Sequence, residues 1–261
     1  MKKVIILLSC ILAAGAIIIS LMFFHKESDE EIVLNEIKTG DEKEYEDKVE
    51  AYDETLKQGH TLILIGDSYG INYDNDSGNG WIGWAEQFGI LFPDVKYFAE
   101  PVGGTGFIRG GNGFEKQLKN IASSNDLSAV KDVVVIGGYN DLGLSQEQIT
   151  EAMAAFVRLA RDACPNARIS YMYVANDVRE DGKADIIKQY EDIYRKACDD
   201  NGAIYVENSQ GILSEKDDMF VEEDDKNSGY HPSSKGCKKL AISIAEYTSN
   251  GVLTEKHKTT E

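Results

Sequence analysis

Two short segments of this sequence place a hydroxyl and an imidazole where acyl chemistry can use them. Gly66-Asp67-Ser68-Tyr69-Gly70 sets Ser68 between close glycines, which let a backbone turn sharply and let another molecule approach the hydroxyl. Gly229-Tyr230-His231-Pro232 puts His231 just ahead of a helix start, since Pro232 suits a first helical turn. Of the four histidines, His25 and His257 lie near the termini and His60 precedes the first expected strand, so His231 is the candidate general base. A free imidazole titrates near ~6.5, which suits a proton shuttle at neutral pH. Two further segments can supply donors to an anion. Pro101 to Gly113 carries glycines at 103, 104, 106, 110, 111 and 113, whose amides can form a phosphate cradle or an oxyanion donor. Ile136 to Leu142 carries Asn140, whose amide can donate to an oxyanion, and Asp141, expected to cap or brace the loop. Taken singly, each segment also reads as an ordinary turn or glycine loop.

The elements that must position these residues alternate. Apolar runs at Thr61 to Ile65, Val95 to Phe98, Val133 to Ile136, Ile169 to Val174 and Ala203 to Val206 have the length and composition of buried parallel strands. Between and after them, helical patterns cover about Trp81 to Leu91, Phe114 to Ser123, Ala184 to Asp200 and Ser234 to Ser249. A further helix follows a capping box at Ser145 and Gln148, with Ile149, Ala152, Met153, Phe156, Val157 and Ala160 as its apolar stripe and Pro165 as its stop. Strands alternating with helices predict a doubly wound α/β sheet with helices on both faces and its crevice beyond the carboxyl ends of the strands. All four chemical segments begin there. No Lys-Ser or Lys-Thr follows the glycines after the second strand, which excludes a P-loop, and a dinucleotide loop would follow the first strand instead. Gly66 to Gly70 also matches G-x-S-x-G, but the α/β-hydrolase fold sets several strands ahead of that serine, and none is available here.

Composition narrows the partners. The chain has 261 residues and a formal net charge of −18, which would repel a phosphate backbone, so nucleic acid is excluded. Val4 to Phe24 carries no charge and follows Lys2 and Lys3; as a helix it would rise roughly 31 Å, enough to span a bilayer. The expectation is an uncleaved anchor over 1–25 with its amino terminus cytoplasmic and the rest outside, the alternative being secretion after signal cleavage. Residues 26–58 read as an acidic stalk, with thirteen acids and five lysines between Lys26 and Lys57, open to a frayed helix. A globular domain then spans 59–250, ahead of a flexible tail at 251–261. Cys10, Cys164, Cys198 and Cys237 have neither metal-site nor disulfide-framework spacing. Asn72 to Gly80 hints at a calcium loop through Asp74 and Asp76 but lacks the required glycine and glutamate, so neither a metal nor another cofactor is expected.

Taken together, Gly66-Asp67-Ser68, a glycine after the second strand, Gly138-x-Asn140-Asp141 and His231-Pro232 resemble blocks I, II, III and V of the SGNH (GDSL) hydrolases, over about Leu62 to Leu240. The resemblance implies a flavodoxin-like three-layer α/β/α sandwich of strand order 2-1-3-4-5. It also implies Ser68 as nucleophile, His231 as base, and the Ser68 amide, the Gly106 amide and the Asn140 side chain as oxyanion donors, with Gly104 as the alternative glycine. One departure stands out: the family commonly carries an acid three residues before the histidine, and Ser228 occupies that position. Asp225 or Asp224 could replace it, or a backbone carbonyl could orient His231 in a Ser-His dyad. Tyr139, Tyr230, Phe107 and Arg109 are candidates to line the substrate site, whereas Trp81 and Trp84, also near the crevice, start a helix and are expected in the core. Because aromatic faces suit sugar rings, the expected substrate is a small ester or an acylated carbohydrate. An O-acyltransferase acting on a surface polysaccharide and an inactive glycan-binding module are the alternatives.

Overall fold

The computed structural model describes residues 42–74, 80–179, 182–223 and 225–258, with side chains described between 48 and 250. The expected anchor, most of the stalk, Asp76, Asp224 and the last three residues lie outside the described residues. The chain divides into two units, Met1–Lys48 and Val49–Glu261. Of the first, only 42–48 is described, as the opening of a helix, α1 (Glu42–Leu56). The rest concerns the second unit.

Five strands, β1 (Thr61–Gly66), β2 (Lys96–Ala99), β3 (Val130–Gly138), β4 (Arg168–Val174) and β5 (Ile204–Tyr205), form a parallel sheet of order β2-β1-β3-β4-β5. The runs expected to be strands are the strands, shifted by up to three residues at their ends, most at the start of β3. Side chains alternate across a strand, and the central strands have two apolar faces to fill. Ile63, Ile65, Val133, Val135, Tyr171 and Tyr173 belong to one buried cluster. Leu62, Leu64, Val134, Ile136, Met172 and Val174 belong to the other.

Helices cover both faces, completing an α/β/α sandwich. The first cluster is closed by α3 (Arg109–Ser124), α4 (Gln146–Ala163) and α5 (Ala184–Asn201), through Phe114 and Leu118, Ile149 and Phe156, and Tyr190 and Tyr194. The second is closed by α2 (Trp84–Leu91), α6 (Ser234–Lys258) and the end of α1, through Trp84 and Phe88, Leu240 and Ile244, and Leu56. The capping box at α4 is formed from both sides, Gln148 N–H donating to Ser145 Oγ at 3.2 Å and Ser145 N–H to Gln148 Oε1 at 2.9 Å.

Several helix and stalk boundaries differ from the sequence reading, and α2 begins at Trp84 instead of Trp81. The stalk does not reach residue 58, because Val49, Tyr52 and Leu56 recur at helical spacing and pack on the second cluster. The last helix runs on to Lys258 instead of ending near Ser249. In α3, Gly110, Gly111 and Asn112 are all left-handed, with φ of 69°, 66° and 61°, so regular helix begins close to the expected Phe114. Cys164, Cys198 and Cys237 are free and buried.

Candidate active site

The chain leaves β1 toward β2 on one side and returns to β3 on the other, so the ends of β1 and β3 flank a topological switch point. Gly66 pairs in register with Ile136, which brings Asp67-Ser68 and Tyr139-Asn140 to the same edge. Ser68 opens a single 3-10 turn (Ser68–Gly70) whose cap is Asp67, its carboxylate accepting from the Tyr69 N–H at 3.0 Å. The glycines flanking the serine are explained by Trp84: a Cβ on Gly66 or Gly70 would run into its indole ring.

His231 reaches Ser68 from the opposite end of the chain. The Phe220 N–H donates to the His231 carbonyl at 2.8 Å, the Gly229 N–H to the Phe220 carbonyl at 2.7 Å, and the Val178 N–H to the Gly229 carbonyl at 2.7 Å. So held, His231 Nε2 lies 2.8 Å from Ser68 Oγ. Its Nδ1 faces the Asn227 carbonyl at 3.3 Å. A carbonyl only accepts, so Nδ1 carries the proton and Nε2 presents its lone pair to the serine hydroxyl. Burial lowers the imidazole pKa from 6.5 to about 4, partly opposed by the Asn227 contact and the Asp225 charge.

Of the acids weighed as third member, Asp224 lies outside the described residues and Asp225 bonds elsewhere than to the imidazole. Ser228 Oγ accepts from the Glu222 N–H at 2.9 Å. The Asp225 carboxylate accepts from the Tyr73 hydroxyl at 2.8 Å and from the Asn227 N–H at 2.7 Å, so it shapes the turn that aims the Asn227 carbonyl. Among the described residues, the imidazole is held between the Ser68 hydroxyl and a main-chain oxygen.

Of the three expected oxyanion donors, the Gly106 amide is placed elsewhere: it donates to the Arg109 carbonyl at 3.2 Å, and a Cβ on Gly106 would collide with the Asp141 carboxylate. Gly103 is the loop glycine beside the serine, an ideal Cβ there standing 3.8 Å from Ser68 Cβ. Neither the Gly103 nor the Ser68 amide bonds to another group among the described residues. Asn140 Nδ2 donates to the Thr105 carbonyl at 2.8 Å and lies 3.4 Å from Asp67 Oδ2, leaving its second hydrogen weakly held. Asp141 braces the glycine loop as expected, accepting from the Phe107 N–H at 2.7 Å and the Arg109 N–H at 3.0 Å. Burial raises the Asp67 pKa from 3.8 to about 7 against the hydrogen bonds it accepts.

The residues suggested as substrate-lining separate. Phe107 is a core residue, 3% exposed and packed edge-on against Phe114, Phe156 and Tyr171, because Asp141 turns its backbone inward. Arg109 is exposed and contributes its main chain to the loop. Tyr139 and Tyr230, both part-buried, stack at 5.3 Å, and the Tyr230 ring lies 4.5 Å from the His231 ring. Residues after β4 that the sequence reading passed over complete this pad. Asp177 accepts from the Tyr139 hydroxyl at 2.7 Å and from Arg179 Nε at 2.8 Å, and the Arg179 guanidinium lies 4.5 Å from the Tyr230 ring centre. Trp81 and Trp84 are both in the core as expected, but only Trp84 begins the helix; Trp81 lies ahead of it, paired with Tyr73, and stacks on His231, ring centres 4.9 Å apart and planes at 20°. Glu215, Asp217 and Asp218 converge on one another but are bridged by Lys235 and Lys239.

Residues 64–239 match the model of the GDSL-like lipase/acylhydrolase family. Solved structures share the fold at low identity. A member of the lipolytic protein G-D-S-L family from Veillonella parvula is 16% identical, covers 72% of this chain and 97% of its own, and superposes with a TM-score of 0.53. The lipase/acylhydrolase from Enterococcus faecalis is 14% identical, with 73% and 96% covered and a TM-score of 0.51. The inhibitor-bound aryl esterase of M. smegmatis is 13% identical, with 73% and 99% covered and a TM-score of 0.52. No curated protein matches the chain in sequence.

Proposed function

Since this chain belongs to the GDSL-like lipase/acylhydrolase family, we propose that it is a serine esterase that removes acetyl or another small acyl group from a carbohydrate through a Ser68-His231 dyad. The observation that carries the reading is the 2.8 Å contact between His231 Nε2 and Ser68 Oγ. As Ser68 Oγ bonds to the ester carbon, its proton passes to Nε2, and the carbonyl electron pair moves onto oxygen. Ser68 N–H, Gly103 N–H and the weakly held Asn140 hydrogen are the donors to that oxygen. The protonated imidazole then gives its proton to the leaving alkoxide, and water, deprotonated by the same nitrogen, releases the acyl group. The Tyr139-Tyr230 pad next to His231 supports a sugar as the alcohol part. In the same reading, Val4 to Phe24 anchors the enzyme with its catalytic domain outside the membrane; among the described residues no helix is long and apolar enough to cross one.

The test is hydrolysis of p-nitrophenyl acetate and of an acetylated xylo-oligosaccharide by wild type and Ser68→Ala, with fluorophosphonate labelling of Ser68. Hydrolysis and labelling that both vanish in Ser68→Ala support the reading. Wild-type hydrolysis unaffected by the substitution would sink it, and acyl transfer to an added oligosaccharide outpacing hydrolysis would make the enzyme a transferase.

A further inference from the structure

Proton transfer to His231 creates a cation that is buried and whose Nδ1–H has, among the described residues, a neutral carbonyl 3.3 Å away as its partner. In the serine-protease triad a carboxylate orients the imidazole and stabilises the imidazolium, and neutralising it there lowered the rate about 10⁴-fold. What else meets the ring is aromatic. Trp81 lies parallel to it at 4.9 Å and 20°. Tyr230 is tilted at 4.5 Å and 48°, and Tyr69 is edge-on at 5.7 Å and 61°.

These rings are not equivalent. The π face of an aromatic ring attracts a cation, and indole does so best. The Tyr230 ring already carries the Arg179 guanidinium at 4.5 Å, and Tyr69 donates its hydroxyl hydrogen to the Tyr230 carbonyl at 2.7 Å. Only Trp81 offers a parallel face to the imidazole. Its orientation is fixed on three sides: Nε1–H donates to the Ile71 carbonyl at 2.9 Å, its main chain pairs with Tyr73 through bonds of 2.9 and 2.8 Å, and the Tyr73 ring stacks on it at 4.4 Å. The Tyr73 hydroxyl then donates to the Asp225 carboxylate at 2.8 Å. The order along the stack is carboxylate, phenol, indole, imidazole, with the anion at the far end. The charged groups that act on His231 are Asp225, which favours its protonated form, and Arg179, which opposes it.

We propose that Trp81 is a positioning residue that takes over both tasks of the missing acid, holding the plane of the His231 ring and stabilising the imidazolium through its π face. The proposal rests on the Ser-His esterase reading and deepens it. It accounts for a buried indole in the loop between Ser68 and α2, where sequence alone placed an ordinary core side chain. The stacking balances the transfer step without a further reactant: the proton leaves Ser68 Oγ, arrives at Nε2, and the charge so created lies against the indole.

The experiment replaces Trp81 by tryptophans carrying increasing numbers of ring fluorines, which drain the π face while keeping the shape, alongside Trp81→Phe and Trp81→Leu. The readouts are kcat and KM for p-nitrophenyl acetate and the pKa of His231 followed by NMR in the boronate adduct of Ser68. Expected are a stepwise fall in kcat with fluorine number, about tenfold overall, at nearly constant KM, and a matching fall in the adduct pKa. Trp81→Phe should keep most of the activity and Trp81→Leu lose about tenfold. A flat fluorine series, or equal losses in the Phe and Leu variants, overturns the proposal. The esterase reading fails separately, if wild-type hydrolysis does not depend on Ser68, and the fluorinated series stays informative should Trp81→Leu not fold.

Discussion

Lowering the pH during hydrolysis of p-nitrophenyl acetate tests how burial sets the state of His231. The imidazole pKa is displaced downward, from 6.5 to about 4, chiefly by desolvation, so the neutral base should persist well into acid. Setting kcat/KM proportional to the neutral fraction, an ordinary imidazole would retain about a tenth of its plateau rate at pH 5.5, whereas this one should retain nearly all of it. Stability moves the other way. Between pH 6.5 and 4 the unfolded chain takes up a proton at this position that the folded chain refuses, so folding loses up to about 3 kcal/mol as pH falls through that window. Asp67 has the opposite sign: its folded pKa is raised to about 7, so the folded chain takes up that proton first and gains stability as pH falls from 7 toward 4. Rates are therefore best read in the first seconds after a pH jump, before slow unfolding intrudes, in wild type and Asp67→Asn. A limb near 7 that disappears in Asp67→Asn belongs to Asp67. A limb at 6.5 or above that survives the substitution would refute the argument from burial.

Replacing Asn140 with Ala should slow acylation on the order of a hundredfold with little change in KM, measured by single-turnover kinetics; a smaller loss would remove it from the oxyanion site. Asp225→Ala should lower kcat about tenfold by loosening the turn that presents the Asn227 carbonyl, and Asp225→Asn, whose Oδ1 still accepts from the Asn227 N–H while its Nδ2–H can donate to the Tyr73 hydroxyl oxygen, should recover most of that loss. Phe107→Ala should cost about 3–5 kcal/mol in chemical denaturation while leaving the KM of the remaining folded enzyme near wild type; a KM effect without a stability loss would return Phe107 to the substrate site. At the other edge of the sheet, Asp132→Asn should cost about 3 kcal/mol in the same assay, because the buried carboxylate accepts from Arg168 Nε at 2.7 Å and is also bonded to His60.

Most of the fold was legible because its signals are local. A strand buried on both faces needs an unbroken apolar run, as in Leu62-Ile63-Leu64-Ile65, and a capping box declares a helix start at Ser145 whatever packs around it. What needed three dimensions was missed or misplaced. Val49, Tyr52 and Leu56 were hidden by acids on the other faces of their helix, and a charge count cannot separate a solvated spacer from an amphipathic turn. Spacing favoured Gly106, but the backbone path decides which amide is free, and Asp141 pulls Gly106 and Phe107 inward while Gly103 stays beside Ser68. Trp81 and Arg179 left no motif at all, since each acts through a ring brought near by distant chain. The signal that was available is the serine at 228, which says that something other than a carboxylate must steady the imidazole.

The two faces of the sheet divide the labour at the site. Tyr69, Trp81, Trp84, Phe220 and Cys237, which surround the serine turn and the histidine, belong to the cluster under α2 and α6. Phe107, Phe114 and Leu142, which carry the glycine loop and the Asn140 turn, belong to the cluster under α3, α4 and α5. Gln117 is one link across this division, its amide bonded to the Gly66 carbonyl at 2.8 Å and to Thr105 Oγ1 at 3.1 Å. In the proposed mechanism, nucleophile activation and oxyanion stabilisation would thus rest on separate packing units that meet at the end of β1. Cavities cut into the second cluster should disturb the Ser68-His231 contact and hence fluorophosphonate labelling. Equal cavities in the first should leave labelling of the serine comparatively intact and weaken binding of tetrahedral boronates. Loss of both readouts in the same proportion from either side would mean that the sheet transmits strain between its faces and that this division has no functional meaning.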